Sequence, residues 1–187
     1  MWALAPPCGP AVFNHDGAPR FVNCLFYGNK AGDDGAVVTL SGAIEFINCT
    51  FADNEATIRR GGAVFDNRGD AVIRNCILWN NRAHVSVTKA IYNKATIGST
   101  KVRYSNVEGG WSGTGNISAD PLFVDVLNGD YRLQDGSPCR DVGHDAFLPA
   151  DSADLNRNGN TTEALPMALG LRSRVTGNAV DMGAYGH

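Results

Sequence analysis

Two short motifs recur through the first half of the chain at a nearly constant spacing. The first motif is an alanine followed by Val or Ile, and its alanines, 25, 27 and 27 residues apart, are Ala11, Ala36, Ala63 and Ala90. The second is Asn-Cys-x-Phe/Leu-x-x-Asn, and its cysteines, 25 and 27 residues apart, are Cys24, Cys49 and Cys76. Repetition at a period of about 20–50 residues is typical of repeat architectures. The segment 11–107 is therefore predicted to fold as stacked turns.

The residues inside each period indicate what kind of turn is stacked. Both motifs alternate Val, Ile or Phe with small or polar residues, which is typical of strands. The connecting residues are rich in Gly, Asn and Asp, which favour tight turns. No window carries a sustained helical apolar pattern. We therefore predict an all-β fold, a parallel β-helix of about four rungs with two or three short strands per turn and rungs about 4.8 Å apart.

Stacking of the repeats predicts columns of equivalent residues. Two columns face inward: Cys24, Cys49 and Cys76 form one, and Phe26, Phe51 and Leu78 form the other. A third column, Asn29, Asn54 and Asn81, lies at a corner, where amide side chains can hydrogen-bond along the stack and satisfy backbone groups of the turn. The cysteines are interpreted as packed free thiols, since parallel stacked Cβ vectors rarely give disulfide geometry.

The second half of the chain contains motifs of a known group. They are Gly109–Ile117, Ala119–Asp125, Gly129–Leu133, Gly136–Cys139 and the ending Val180–Tyr185. Together with the rungs, they resemble the right-handed parallel β-helix surface proteins of bacteria, with choice-of-anchor or polymorphic outer-membrane-protein-like repeats. The resemblance implies a right-handed β-helix over 11–107, an irregular C-terminal capping region over 108–187 and an extracellular or cell-surface location. It implies no particular activity, because a fold hosts many functions.

Charge and hydropathy exclude two classes of partner. The 187 residues carry a formal net charge of −3, from 16 basic and 19 acidic residues without a block of either sign. Nucleic-acid binding calls for a concentrated basic face, which the sequence lacks. No run of apolar residues approaches the length of about 18 that a membrane span requires.

The N-terminal segment 1–10 is atypical for a solenoid. It has no signal-peptide pattern, and Cys8-Gly9-Pro10 stands where relatives would have glycines before the first rung. We interpret the chain as a C-terminal fragment of a longer β-helix, with the first rung at Val12-Phe13 left open. An open rung favours an end-to-end homodimer; alternatively, residues 1–10 fold over it as a cap.

One polar loop is a candidate calcium site. Its oxygen-bearing residues, at alternate positions before and then after Gly159, are Asp154, Asn156, Asn158, Asn160 and Glu163. Alternating oxygen side chains, a glycine and a following carboxylate are how a loop wraps a hard cation. Only two of these residues carry a formal negative charge, so the predicted affinity is modest. A polar turn without metal is the alternative.

The candidate catalytic residues have a weaker sequence pattern than the calcium loop. Asp33, Asp34 and Asp66, with Lys89 and Arg103, could be combined into the paired carboxylates of a glycosidase or into the base and cation of a polysaccharide lyase. Asp33 and Arg60 are expected to share an outer column. None of these spacings specifically indicates catalysis, and charged residues on the outer faces of a solenoid are ordinarily only solvated.

Aromatic residues near the end of the rungs provide a last candidate. Trp79, Tyr104 and Trp111 could form a row that stacks on sugar rings, or Trp111 could close the end of the core, which is the interpretation we favour. Three functions follow: a structural or adhesive module that binds a polysaccharide or cell-surface glycan, a carbohydrate-active enzyme or its remnant, and a calcium-stabilised carbohydrate-binding module. The first is our expectation.

Overall fold

The rungs stack as the repeat spacing predicts. A computed structural model describes residues 9–32, 35–58, 60–84, 90–94 and 99–187. Over these residues the chain is all-β, and its parallel strands form a β-solenoid of about three turns, close to the predicted four rungs. The predictions that concern residues 1–8, Asp33, Asp34 and Lys89, including the Asp33–Arg60 column, lie outside the described residues.

Each turn contributes strands of two or three residues. The first turn contains β1 (Val12–Asn14), β2 (Arg20–Val22), β3 (Leu25–Tyr27) and β4 (Lys30–Ala31). The second contains β5 (Val37–Thr39), β6 (Glu45–Ile47), β7 (Thr50–Ala52) and β8 (Glu55–Ala56). The third contains β9 (Val64–Asp66), β10 (Val72–Arg74), β11 (Ile77–Trp79) and β12 (Arg82–Ala83). The last begins with β13 (Ile91–Asn93), β14 (Lys101–Arg103) and β15 (Asn106–Val107).

Equivalent strands of successive turns pair in parallel and form four sheets. The first sheet is β1-β5-β9-β13, the second β2-β6-β10-β14, the third β3-β7-β11-β15 and the fourth β4-β8-β12. A full turn thus contains four strands, and the expectation of two or three was wrong. The fourth strand was missed because its two residues, such as Lys30 and Ala31, are too few to show an apolar alternation.

The aromatic column fills the interior as predicted. Phe26 pairs with Phe51, and Phe51 pairs with Leu78, in the register of the third sheet. The Phe51 ring stacks on Phe26 with centroids 4.7 Å apart and meets the edge of Phe46 at 5.1 Å. Phe51 has no exposed surface. Complete burial of a large aromatic side chain contributes strongly to the stability of the fold, because the core is small.

The asparagine column lies at the corner after the third sheet, also as predicted. Asn29 donates from Nδ2 to Asn54 Oδ1 at 2.8 Å, and Asn54 donates in the same way to Asn81 at 2.8 Å. Asn54 and Asn81 are fully buried. The oxygens also accept backbone N–H groups of the adjacent turn. The ladder therefore satisfies buried polar groups that the corner would otherwise leave unpaired.

The cysteine column is a stack of free thiols. Cys24, Cys49 and Cys76 are not joined to one another, and Ser105 continues the column by accepting the Cys76 N–H at 3.0 Å. A hydrogen bond with Cys49, and then burial, raise the pKa of Cys24; burial raises the pKa of Cys49. Both shifts favour the neutral thiol of Cys24 and Cys49 over the thiolate, which is the nucleophilic form.

A second asparagine column, at the bend between the second and third sheets, holds the C-terminal region. Asn23, Asn48 and Asn75 have φ near +50°, a conformation that asparagine tolerates better than most residues. Their side-chain amides donate to the carbonyls of three distant residues, Met167, Asp181 and His144, at 2.7, 3.0 and 3.1 Å. The C-terminal region is thus attached along the side of the solenoid, one contact per turn.

Two further pieces complete the C-terminal region. The loop 109–118 closes the last turn, with Trp111 packed against the main core and Ile117 bridged to Asn106 of β15. A hairpin forms from β16 (Phe123–Asp125) and β17 (Asp130–Leu133), with a 3-10 helix, Val126–Asn128, between them. A second 3-10 helix spans Asp145–Phe147. Within the described residues, the helical segments fall short of the length and apolar content that a membrane span requires.

The hairpin packs along the side of the solenoid. Tyr131 of β17 contacts Tyr27 of the first turn, with ring centroids 5.4 Å apart, and donates to Asp53 of the second turn. Phe123 and Leu133 of the hairpin pack in one cluster with Ile77 of the third turn. The hairpin therefore lies beside the first three turns, on the third-sheet side of the solenoid. This position creates a space between hairpin and solenoid.

Candidate functional site

The space between the hairpin and the third sheet is a cavity of about 360 Å³, here called the hairpin cavity. This volume is at the lower end of the range of small-ligand pockets, about 300–1,000 Å³. Its walls combine aromatic, aliphatic, carboxylate and amide side chains. They belong to Ala52, Asp53, Trp79, Asn80, Asp120, Leu122, Phe123, Val126 and Gln134.

The solenoid side of the cavity is shaped by the bend between the third and fourth sheets. Gly28, Asp53 and Asn80 occupy equivalent positions there, with φ of +62°, +56° and +53°. Left-handed backbone favours Gly, Asn and Asp, which explains the residue types in this column. The bend turns the side chains of Asp53 and Asn80 out of the solenoid and towards the hairpin.

Asp53 is a fully engaged carboxylate. Its Oδ2 accepts the phenolic hydrogen of Tyr131 at 2.7 Å, and its Oδ1 accepts the amide of Asn80. Burial raises the pKa of the Tyr131 phenol, and the hydrogen bond to Asp53 raises it further. Asp53 therefore holds the hairpin in place and presents a fixed negative edge to the cavity. A carboxylate with both oxygens occupied is poorly suited to act as a general base.

The remaining cavity residues offer an apolar face and several polar groups. Trp79 is half-buried at the end of β11, and Phe123 is half-buried at the start of β16. Asp120 and Gln134 are exposed on the hairpin side. Carboxylates accept hydroxyl hydrogens, and amides both donate and accept. An aromatic face beside such groups can bind an uncharged polyhydroxylated molecule, whereas the two carboxylates disfavour an anion.

The three aromatic residues singled out from the sequence do not form one row. Trp79 lines the hairpin cavity. Tyr104 lies at the bend of the last turn and packs edge-on against His144 and Phe147, with centroids 4.7 and 5.7 Å away. Trp111 packs against the end of the main core, where the favoured interpretation placed it. Of the three, Trp79 faces a space that a ligand can enter.

A stacked aromatic pair that the sequence did not single out lies on the first sheet. Phe65 and Tyr92 are neighbours in the register of β9 and β13, with ring centroids 5.5 Å apart and planes 22° apart. The guanidinium of Arg60 lies 4.7 Å from the centre of the Tyr92 ring. The ring faces are thus used within the protein, and the pair is not a flat platform for a sugar.

The catalytic candidates do not assemble into a site in the described part of the chain. Asp66 is buried, not on the outer face, because its carboxylate organises the turn after β9. It accepts the Gly69 N–H at 2.8 Å and the Thr100 hydroxyl at 2.8 Å. Asp33 and Asp34 lie outside the described residues. Lys89 also lies outside the described residues, and Arg103 is exposed on β14 of the second sheet, whereas Asp66 belongs to β9 of the first.

The predicted calcium loop brings three of its five side chains together. Asn156 and Asn158 donate their amides to Glu163 Oε1 at 2.9 and 2.8 Å. Asp154 Oδ1 accepts the N–H groups of Asn158 and Gly159, and Asn160 instead accepts from Thr162. The Oδ1 atoms of these two amides accept the backbone N–H groups of Asn158 and Asn160 at 3.2 and 2.7 Å. The donor set, carboxylates and amide oxygens, fits a hard cation such as calcium.

Asp151 lies at the base of this loop, where its carbonyl accepts the N–H of Asp154. It is fully buried, and its Oδ2 accepts the N–H of Leu155 at 2.9 Å. Its Oδ1 is buried and has no hydrogen-bond partner among the described residues. A buried carboxylate oxygen without a donor is costly. A cation beside the loop would relieve that cost.

A cluster near the end of the chain was not foreseen from the sequence. Oxygens of Asp141 and Asp181 and a ring nitrogen of His187 lie within 4.8 Å of one another. Asp181 accepts the Asp141 N–H at 2.9 Å, and the backbone N–H of His187 at 2.9 Å. Both carboxylate oxygens of Asp181 are thereby used to hold the chain in place. The cluster fastens the C-terminal end to the cap.

Comparison with known proteins adds no relative to this picture. No protein-family model, no curated protein and no solved structure matches the chain.

Proposed function

We propose that the chain is a structural β-helix module of an exported bacterial surface protein, and that it binds an uncharged glycan in the hairpin cavity. The β-solenoid supplies a rigid support, and its fold makes a structural role plausible. The surface location rests on the resemblance of the repeats. The observation that carries the binding role is the cavity itself, where Trp79 and Phe123 stand beside the polar side chains of Asp53, Asp120 and Gln134.

The composition of the cavity favours binding over catalysis. Glycoside hydrolysis calls for a proton-donating carboxyl group and a second free carboxylate across the bond. Asp53 has both oxygens hydrogen-bonded to Asn80 and Tyr131. A fixed carboxylate of this kind instead accepts hydrogen bonds from sugar hydroxyls. Aromatic side chains supply large contact area at a low entropic cost.

The test is a panel of neutral and acidic polysaccharides, scored for retention of the protein and for release of reducing ends. Asp120→Ala removes an exposed cavity carboxylate, and Trp79→Ala removes the aromatic wall. Asp135→Ala is the matched control, because Asp135 is exposed and pairs with Arg140 outside the cavity. We expect retention on a neutral glycan without cleavage, weakened about tenfold by either cavity substitution and unchanged by the control.

The following outcomes would contradict the binding role of the hairpin cavity. If no neutral glycan retains the protein, or if Asp120→Ala and Trp79→Ala bind as the unaltered chain does, the cavity is not the site. Release of reducing ends would replace the binding role with an enzymatic one.

We further propose that calcium stabilises the C-terminal region through Asp154, Asn156, Asn158 and Glu163, with Asn160 at the rim of the loop. Support comes from the convergence of Asn156 and Asn158 on Glu163 and from the unpartnered Oδ1 of the buried Asp151. The ion would order the loop and has no catalytic part in the proposal.

The proposal includes end-to-end pairing of two chains. Strand β1 pairs with β5, and in the described residues no strand lies on its other side. Phe13 of β1 is 61% exposed. Unpaired strand edges of this kind are templates for association. Sedimentation over a concentration series should show a monomer–dimer equilibrium that Phe13→Glu shifts to monomer; a clean monomer at all concentrations contradicts the pairing.

A further inference from the structure

The outer face of the second sheet carries a groove of about 250 Å³ lined by Val72, Arg74, Lys101 and Arg103, here called the basic groove. Strands β10 and β14 pair so that Val72 lies beside Lys101 and Arg74 lies beside Arg103. Neighbouring parallel strands are about 4.8 Å apart, so the two guanidinium groups start from adjacent backbone positions. Val72 is short, which leaves room between the basic side chains.

The arrangement of charge here differs from that on the other outer faces. On the fourth sheet, Glu55 lies between Lys30 and Arg82 in register. In the second sheet itself, Glu45 of β6 lies beside Arg20 of β2. Opposite charges thus alternate along these columns, which is the favourable order for cross-strand neighbours.

Between β10 and β14 the alternation fails. Arg74 and Arg103 are like charges side by side, and Lys101 adds a third on the same face. Neither Lys101 nor Arg103 has a carboxylate within 4 Å in the described part of the chain, and both are exposed. Like charges at directly paired positions destabilise a sheet. An external anion would relieve this repulsion.

Arg74 is already held in position. Its guanidinium contacts Glu45, whose other oxygen is 2.6 Å from Arg20, and lies 5.1 Å from the centre of the Phe147 ring. One carboxylate therefore serves two arginines, and the groove keeps a surplus of positive charge. Because Arg74 is fixed, Arg103 and Lys101 are the side chains free to close on a ligand. A guanidinium fork matches the geometry of carboxylate and sulfate oxygens.

We propose that the basic groove binds a carboxylate or sulfate group of an acidic polysaccharide. Three cations and a small volume suit one anionic sugar unit at a time. A nucleic acid would call for a longer basic track with several phosphate contacts, which this face does not offer. The groove is on a different sheet from the hairpin cavity. Its ligand is anionic, whereas the ligand proposed for the hairpin cavity is uncharged, so the inference does not depend on the proposed function.

The experiment measures affinity for a polyuronate and for a sulfated glycan at about physiological ionic strength. Lys101→Gln/Arg103→Gln removes two charges from the groove without touching the core, since both side chains are exposed. The control, Lys30→Gln/Arg82→Gln, removes the same net charge from the fourth sheet. We expect at least about tenfold weaker binding for the groove variant and less than about twofold for the control.

The two ligands distinguish carboxylate from sulfate recognition, and either one supports the proposal. Asp120→Ala in the hairpin cavity should leave this binding unchanged, which separates the two sites. Equal losses in both double variants, or no binding by the unaltered chain, would overturn the proposal. So would a single-stranded oligonucleotide bound as tightly as either glycan.

Discussion

The guanidinium of Arg174 donates a hydrogen bond of 3.2 Å to the side-chain oxygen of Asn23, which lies in the first turn of the solenoid. The same guanidinium donates to the carbonyls of Asp181, Ala184 and Tyr185 at 3.0–3.2 Å. Arg174 is 1% exposed. Burial lowers its pKa to about 10, and the nearby Asp181 opposes that shift, so the group is charged at neutral pH.

Arg174→Met should therefore loosen the whole C-terminal region. The substitution leaves the Tyr185 carbonyl without a donor and removes one of the two donors to the carbonyls of Asp181 and Ala184. Loss of hydrogen bonds from a charged group costs about 1.5–3 kcal/mol. Urea denaturation monitored by tryptophan fluorescence measures the free energy of unfolding. Arg172→Met, at an exposed position nearby, serves as the control. Equal stabilities of the two variants would show that Arg174 does not fasten the cap.

Phe51→Ala tests the core. Phe51 is completely buried between Phe26 and Phe46, so removal of its ring should lower the free energy of unfolding by about 3–5 kcal/mol. In a protein of this size that is a large part of the total stability. Phe13→Ala, at a largely exposed position, should cost far less. A loss under about 1 kcal/mol for Phe51→Ala contradicts the packing described above.

Stability should fall at alkaline pH because the buried Cys139 thiol resists ionisation. Burial raises its pKa from the ordinary 9.0 to about 11. Above pH 9 the unfolded chain loses this proton while the folded chain keeps it. The stabilisation is therefore complete below pH 9 and is lost as the pH rises through about 11, by up to about 3 kcal/mol.

Cys139→Ser isolates this contribution. Serine does not ionise in that range and can still accept the hydrogen bond that Asn106 donates to the Cys139 sulfur at 3.0 Å. Denaturation of reduced protein at pH values on either side of 9 should show a shallower alkaline loss in the variant. Identical pH profiles would mean that Cys139 ionises normally in the folded protein.

Calcium should raise the melting temperature if the loop of Asp154 and Glu163 binds it. A ligand that binds only the folded form stabilises it by about 2.7 kcal/mol at a hundredfold excess over the dissociation constant. Asp154→Ala should abolish the difference between calcium and chelator, and Asp135→Ala should preserve it. If metal-free protein melts at the same temperature with and without calcium, the loop is a polar turn.

The columns could be predicted from the sequence because the repeat period itself sets the register. Spacings of 25 and 27 residues bring Phe26 beside Phe51, and Asn29 beside Asn54, whatever the intervening turns do. The bend that forms the hairpin cavity also had a signal. Each residue before the ladder asparagine is one that tolerates left-handed backbone, namely Gly28, Asp53 or Asn80.

Other features have no local signature. Asn48 looks like a turn residue, but its partner Asp181 is 133 residues away. In the sequence, Arg174 is one arginine within a polar stretch, and no neighbouring residue indicates that it is buried. The basic groove was missed because Ser105 replaces the repeat cysteine in the last turn. Without that marker, Arg103 could not be aligned beside Arg74.

The asparagines at the bend between the second and third sheets also constrain how this solenoid can change in length. Each turn supplies one amide, from Asn23, Asn48 or Asn75, and each amide meets a different carbonyl of the C-terminal region. Duplication of one of these repeats would add an asparagine amide that has no carbonyl to accept its hydrogen bond. It would also shift the asparagines on one side of the insertion by one turn relative to their carbonyls. Insertion of a whole repeat between these turns therefore requires a matching extension of the C-terminal region, whereas substitutions within a repeat do not. These three turns and the C-terminal region that they hold can lengthen only together.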